Sequence, residues 1–195
     1  TQDIMDTATV LQVRDALQLV DSDLEALDAA LTKLTRTHRD TVMAGRTHLQ
    51  HALPVTFGYK TAVWLSMIRR HRERLVQLRP RVLAVQFSGA AGTLASLGDK
   101  GLAVQAALAS ELRLAQPEIT WHSARDGMAE AVMLLGLITG SLSKIAVDVM
   151  LMMQTEVGEA FEPFVPGRGS SSTMPQKRNP ISCEMIVALA KSVRA

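Results

Sequence analysis

Disulfide chemistry is absent from within this chain, because Cys183 is its only cysteine. That usage fits a reducing cytoplasm, and a lone cysteine on a helix reads as a small buried hydrophobe. Aromatic residues are scarce at 4%, which argues against sheets built from aromatic and β-branched pairs. Neither sign of charge dominates: 21 basic residues face 19 acidic ones and are spread along the chain. Nothing in that balance calls for nucleic acid or a membrane surface as a partner. The most apolar run, 131–143, is bounded by Glu130 and Lys144 and is too short to span a bilayer. No leader sequence, internal repeat or low-complexity segment stands out.

What is present is aliphatic. Hydrophobic residues reach 47%, mostly Ala, Leu, Val and Met, which suit packed helices. The fold class read from the sequence is all-α. Residues 3–35 place Val10, Leu17, Leu24 and Leu31 among an apolar set near helical spacing, with Thr1 or Asp3 as cap. Residues 38–56 read as irregular. A second helix is expected over 55–86, bent by Pro80, with the charged run 69–74 as a solvated or subunit-facing surface. The small-residue stretch 89–99 reads as a turn or a place where backbone approaches closely. Further helices are expected over 101–114 and 123–158. In the latter, Gly136 and Gly140 suggest tight helix contacts, and Met133, Met150, Met152 and Met153 suggest core packing. Helices apolar on more than one side must be covered, so the chain is expected to associate with copies of itself. It starts without Met and stops inside a helix, which reads as the middle of a longer protein.

Near the end, helical sequence stops at Pro163 and Pro166 and gives way to Gly167-Arg168-Gly169-Ser170-Ser171-Ser172-Thr173-Met174-Pro175-Gln176-Lys177-Arg178-Asn179-Pro180. A helix restarts at Pro180, with Asn179 as N-cap and Pro at the first position. On composition a flexible Ser/Gly linker is equally open. The alternative is an anion site, with hydroxyls, Lys177 and Asn179 gathered at a helix N-terminus. A polycarboxylate is the expected ligand. Ser171 acts as a base only if positive surroundings stabilise its ionised form. A second group is Thr47-His48, whose imidazole suits proton transfer near neutrality. A third is Thr1-Gln2-Asp3 with Thr93, whose hydroxyls and amide suit carboxylate oxygens.

The segment from Ser171 to Pro180 closely resembles the signature loop of the fumarase/aspartase superfamily, GSSxMPxKxNP. One departure is Ser170, where the family usually has Gly; Gly169 is the available compensation. Thr1 to Thr7 resembles the end of the family's first region, and Gly45 to Pro54 its second. The resemblance covers essentially the whole chain. It implies that residues 1–195 are the central long-helix domain, without the domains that normally flank it. It implies a homotetramer in which each active site draws its three regions from different subunits. It also implies Ser171, His48 and Lys177 as catalytic residues. Thr1, Gln2, Thr47, Ser172, Asn179 and Thr93 are implied as substrate contacts. The implied chemistry is proton transfer beside a carboxylate through an aci-form, with no metal or organic cofactor.

Within the superfamily, residues 57–64, 89–101 and Trp121-His122-Ser123-Ala124-Arg125-Asp126 look most like the bacterial carboxymuconate cycloisomerases. The implied activity is closure of 3-carboxy-cis,cis-muconate, or a substituted (for instance sulfonated) muconate, to a muconolactone in aromatic catabolism. Adenylosuccinate lyase-type elimination is the second reading. Against it, Trp121 stands where those lyases usually carry a substrate-binding Gln. His48 stands where some cycloisomerases have Trp. A non-catalytic helical scaffold is the third reading, opposed by the intact Ser171, His48, Lys177 and Asn179.

Overall fold

The computed structural model of this chain describes residues 1–165 and 167–195. Pro166, read from the sequence as a helix stop, lies outside the described residues. Five helices dominate: α1 (Gln2–Thr37), α2 (Phe57–Val82), α3 (Gly101–Leu112), α4 (Asp126–Met152) and α5 (Ile181–Arg194). A short 3-10 turn covers Ala95–Lys100. The expected helical class holds. The segment expected to be irregular does not: β1 (Val42–Thr47) and β2 (Gln50–Thr56) pair as an antiparallel hairpin.

Helix α1 runs 36 residues, or about 54 Å at 1.5 Å per residue. No Gly or Pro interrupts it. Val10, Leu17, Leu24 and Leu31 are buried at seven-residue intervals, the spacing that keeps one seam of a long helix facing inward. Ile4 is 72% exposed and lies off that seam. The start has no side-chain cap from Asp3, whose carboxylate is engaged elsewhere; the Thr1 carbonyl accepts the Ile4 and Met5 N–H groups.

The chain divides into two compact units, Thr1–Ala26 with Arg72–Leu134, and Leu27–His71 with Leu135–Ala195. In the first, Val10, Val85, Ala109 and Leu114 form a buried cluster, against which Phe87, Trp121 and Met128 pack. Val85 and Ala115 tie two extended segments together, with Val85 N–H donating to the Ala115 carbonyl at 2.9 Å. Helix α2 stops at Val82, short of the expected Gln86, because the Gln86 N–H goes to the Thr7 hydroxyl at 3.0 Å rather than to a helical carbonyl.

In the second unit, Trp64, Ile68, Ile138, Ala146 and Met152 are buried. Trp64 Nε1 donates to Asp148 at 2.8 Å, and buried His71 bonds the Ser141 hydroxyl at 2.8 Å. His71 thus departs from the solvated reading of the 69–74 run, while Arg69, Arg70 and Glu73 keep to it. Cys183 is buried as expected, and burial together with the Glu162 carboxylate pushes its thiol up to about 12.

Two expectations for α4 are corrected. Among the described residues, no atom lies within 4 Å of a Cβ placed on Gly136 or Gly140, so neither marks a close helix contact there. Met133 is 68% exposed rather than core. The helix ends at Met152, ahead of the expected Gly158. By length and composition it could cross a membrane, since Gly, Ser and Thr dilute its apolar run very little. The apolar core helix of a soluble protein passes the same test.

Candidate active site

In the first unit, the start of α1 is held by Asp3. Its carboxylate accepts the Gly89 N–H at 2.8 Å, the Ser88 N–H at 3.1 Å and Gln86 Nε2 at 3.1 Å. Burial pushes this carboxyl up, and the donors outweigh it, leaving it below its ordinary value of 3.8. Gln86 is wholly buried and uses its whole amide. Its Nε2 also reaches Ser88 Oγ and Thr120 Oγ1, while its Oε1 accepts the Trp121 N–H at 3.0 Å. Gln2 donates to Asp6 at 3.0 Å, and Arg125 donates to the same carboxylate at 2.8 Å. Burial raises the Asp6 carboxyl, but Arg125 and Gln2 bring it below its ordinary value. Thr1 and Thr93 are exposed.

The turn bearing Thr93 requires a glycine beside it. Gly92 has φ +84, and a Cβ there would lie 2.9 Å from Thr120 Cγ2 and 3.5 Å from His122 Cε1. That close approach brings the turn against Thr120 and His122. Of the first region, Asp3 sits on one polar network with Gln86, Ser88, Thr120 and His122, while Gln2 bonds Asp6 instead and no hydrogen bond joins the Thr1 or Thr93 side chain to that network among the described residues. None of Gln86, Ser88, Thr120 and His122 was expected as a site residue. A buried glutamine in an apolar stretch gives a weak sequence signal, and its partners other than Ser88 lie 34 to 83 residues away.

In the second unit, the hairpin presents Thr47 at the end of β1 and His48 in the two-residue turn before β2. His48 and Leu49 have φ 49 and 63. This left-handed pair has the sign pattern of a tight hairpin turn, normally built from Asn and Gly. Here neither is Gly, so each is strained by about 1–2 kcal/mol. His48 lines a recess of about 610 Å³ with Arg46, Lys60, Lys144 and Asp148. Arg46, two residues before His48, is fixed by a bidentate pair with Glu159 at 2.7 and 2.9 Å.

The signature loop closes on a two-rung base. The Asn179 N–H donates to the Gly169 carbonyl at 2.9 Å, and Ser170 bridges Arg178. Gly169 carries φ +69, and a Cβ there would come within 2.7 Å of the Asn179 carbonyl. Ser170 is not among the residues with positive φ. The requirement for glycine thus falls on Gly169, and Ser170 in the family's glycine place costs no backbone strain. Inside the loop, Ser171 Oγ accepts the Met174 N–H at 3.1 Å and the Thr173 N–H at 3.3 Å. Ser172 and Lys177 are exposed, and the Lys177 ammonium has no ion-pair partner among the described residues. Lys177 and Asn179 line a recess of about 570 Å³ with Arg168 and Arg178, whose guanidinium stacks 5.4 Å from the Phe164 ring.

The expected anion site at the helix start is corrected. Pro180 takes the N-cap position with no side-chain cap, so Asn179 is not the cap. The α5 amides are already taken: Glu162 accepts the Cys183 N–H at 2.7 Å and the Ser182 N–H at 3.2 Å. Burial raises the Glu162 carboxyl, and these donors bring it below its ordinary value of 4.5. An anion in this unit is left with the loop side chains rather than the helix terminus. Glu162 lies 20 residues before Ser182, so no local capping pattern could reveal it.

The His48 recess and the loop recess share no lining residue. Within this unit, Thr47 and His48 form one group, and Ser171, Ser172, Lys177 and Asn179 form another.

Comparison with known proteins gives a match to the family described as Lyase over residues 1–195. The chain is 55% identical over 190 residues to 3-carboxy-cis,cis-muconate cycloisomerase of Pseudomonas aeruginosa, covering 97% of this chain and 41% of that protein. It is 54% identical over 194 residues to trans-aconitate decarboxylase 1 of Mycosarcoma maydis, covering 100% and 39%. The crystal structure of 3-carboxy-cis,cis-muconate lactonizing enzyme from Pseudomonas putida superposes with a TM-score of 0.93 at 51% identity, covering 99% of this chain and 43% of that one. The chain thus spans 39–43% of the length of these relatives.

Proposed function

The chain belongs to the fumarase/aspartase superfamily of lyases, and on that premise we propose that the full-length protein closes 3-carboxy-cis,cis-muconate, or a close substituted muconate, to a muconolactone. The observation that carries the chemistry is Ser171 Oγ accepting two backbone N–H groups. Such donors stabilise an alkoxide, the form a serine must pass through to exchange a proton with carbon. One substrate carboxylate oxygen adds to the carbon–carbon double bond. The electron pair moves onto the carbon beside a second carboxylate and is held as the aci-form. Ser171 delivers the proton to that carbon, forming the new C–H bond, and recovers one from solvent. Lys177 and Asn179 hold the carboxylate on which charge develops. His48 handles protons from the hairpin, and Thr1, Gln2, Thr47, Ser172 and Thr93 contact the remaining oxygens.

The choice of substrate rests on relatives named as cycloisomerases at 50–55% identity. Decarboxylation of trans-aconitate is a second reading, favoured by the 54% identical decarboxylase. The working unit in this proposal is a cytoplasmic homotetramer whose sites take the hairpin and the signature loop from different subunits. Exposed Val132, Met133 and Leu137 on α4, and Met185 and Leu189 on α5, support burial against further copies. The test is a spectrophotometric assay of the full-length protein on 3-carboxy-cis,cis-muconate, with trans-aconitate and adenylosuccinate in parallel. Loss of the diene absorbance, with the other two untouched, is the expected result. Turnover of either other substrate, with the muconate left intact, overturns the assignment.

A further inference from the structure

Four side chains of the first unit form a directed hydrogen-bond relay. The Thr120 hydroxyl donates to Ser88 Oγ at 2.8 Å, and the Ser88 hydroxyl donates to Asp3 Oδ1 at 3.4 Å. Each hydroxyl has one proton to give. Thr120 Oγ1 has spent its own, so in its 2.7 Å contact with His122 Nδ1 it must be the acceptor. His122 Nδ1 therefore carries the proton, and the ring's tautomer is fixed by a chain that ends on a carboxylate. The other nitrogen, Nε2, has no partner among the described residues. Cε1, the ring atom bonded to both nitrogens, faces Gly92 at 3.5 Å from its built Cβ position. That places the free nitrogen beside the turn that carries Thr93. The charged groups around the ring are Asp3 at the end of the relay and Asp6, which is paired with Arg125.

We infer that His122 is a further substrate-binding residue, whose Nε2 takes a carboxylate oxygen of the polycarboxylate beside Thr93, while Nδ1 serves only to aim the ring. This rests on the proposed polycarboxylate chemistry and adds a contact from a segment outside the three family regions. With a proton on both nitrogens the ring donates to the carboxylate from Nε2, and in the Nδ1–H tautomer the bare Nε2 instead accepts from an acid or aci-form hydroxyl of the substrate.

The two nitrogens can be separated by substitution in the full-length protein. Asn at this position keeps a donor where Nδ1 lies and removes the outer nitrogen, whereas Gln places a donor near Nε2. His122→Asn is expected to raise KM for 3-carboxy-cis,cis-muconate roughly 10–100-fold, the range of a hydrogen bond to a charged group, with an unchanged melting temperature. His122→Gln is expected to stay close to wild-type KM. Wild-type KM in the Asn variant, or an Asn variant no weaker than the Gln variant, overturns the assignment. If the wild-type protein does not turn over the muconate, the substrate reading fails separately. Calorimetric binding of propane-1,2,3-tricarboxylate to the same three proteins then decides the case. Weakening confined to Asn upholds the contact; equal affinities, or no binding by wild type, overturn it.

Discussion

Ser171→Ala in the full-length protein is expected to lower turnover roughly 10²–10⁴-fold, the usual contribution of a positioned proton-transfer group. Among the described residues, Ser171 Oγ bonds only within its own turn, to the Thr173 and Met174 amides and the Thr173 hydroxyl. It is only part-buried, so losing those bonds costs about 1 kcal/mol of stability or less. Loss of rate with an unchanged melting temperature is therefore the signature of a chemical role. Binding should persist, because Lys177 and Asn179 remain to hold the carboxylate. A variant with wild-type turnover would remove Ser171 from the mechanism and with it the role of the two amide donors.

The largest effect on stability is expected from Gln86→Leu. Leucine nearly preserves volume, so the change isolates hydrogen bonding from cavity formation. It strips the Trp121 N–H of its acceptor and takes a donor from Asp3, Ser88 and Thr120, all near a site with no exposure at Gln86. Stranding buried polar groups costs about 1–3 kcal/mol each, and water can reach some of these partners, so a total of about 3 kcal/mol is expected. For a chain of this size that corresponds to a fall in melting temperature of roughly 6–12 °C. A shift below about 1 °C would show that the network does not hold the start of α1.

Much of the helical frame was legible because its signals are local. The α1 seam repeats every seven residues, and no breaker falls inside the helix. The hairpin was not legible for an equally local reason. Gly45 and Pro54 read as breakers, yet Gly45 sits at the bulge between Ala44 and Arg46, and Pro54 lies on a strand with only one neighbour among the described residues. His48-Leu49 lacks the Asn-Gly chemistry that announces a tight turn. The end of α2 was misplaced because the Thr7 hydroxyl captures the Gln86 N–H across 79 residues.

For the site, the loop residues were legible as a motif, but their surroundings were not. Glu162 fills the helix terminus that the sequence offered to a ligand, and it does so from outside any capping box. His122 gave no periodic or spacing signal at all. Its position follows from Thr120, Ser88 and Asp3, whose joint geometry exists only in the folded unit. Ser170 shows the opposite case. The sequence marks it as a departure from the family pattern with Gly169 as compensation, and the backbone places the glycine requirement on Gly169.

The central claim is that His48 and Ser171 work in one active site while belonging to different copies of the chain. The direct measurement is subunit complementation. Full-length Ser171→Ala and His48→Asn proteins, each impaired alone, are dissociated, mixed and reassembled, and mixed oligomers are verified by native mass spectrometry. The account predicts that activity reappears, because some sites in mixed assemblies pair an intact Ser171 with an intact His48. Mixed assemblies that form but remain as inactive as either parent would contradict it and place both residues in a site made by a single chain.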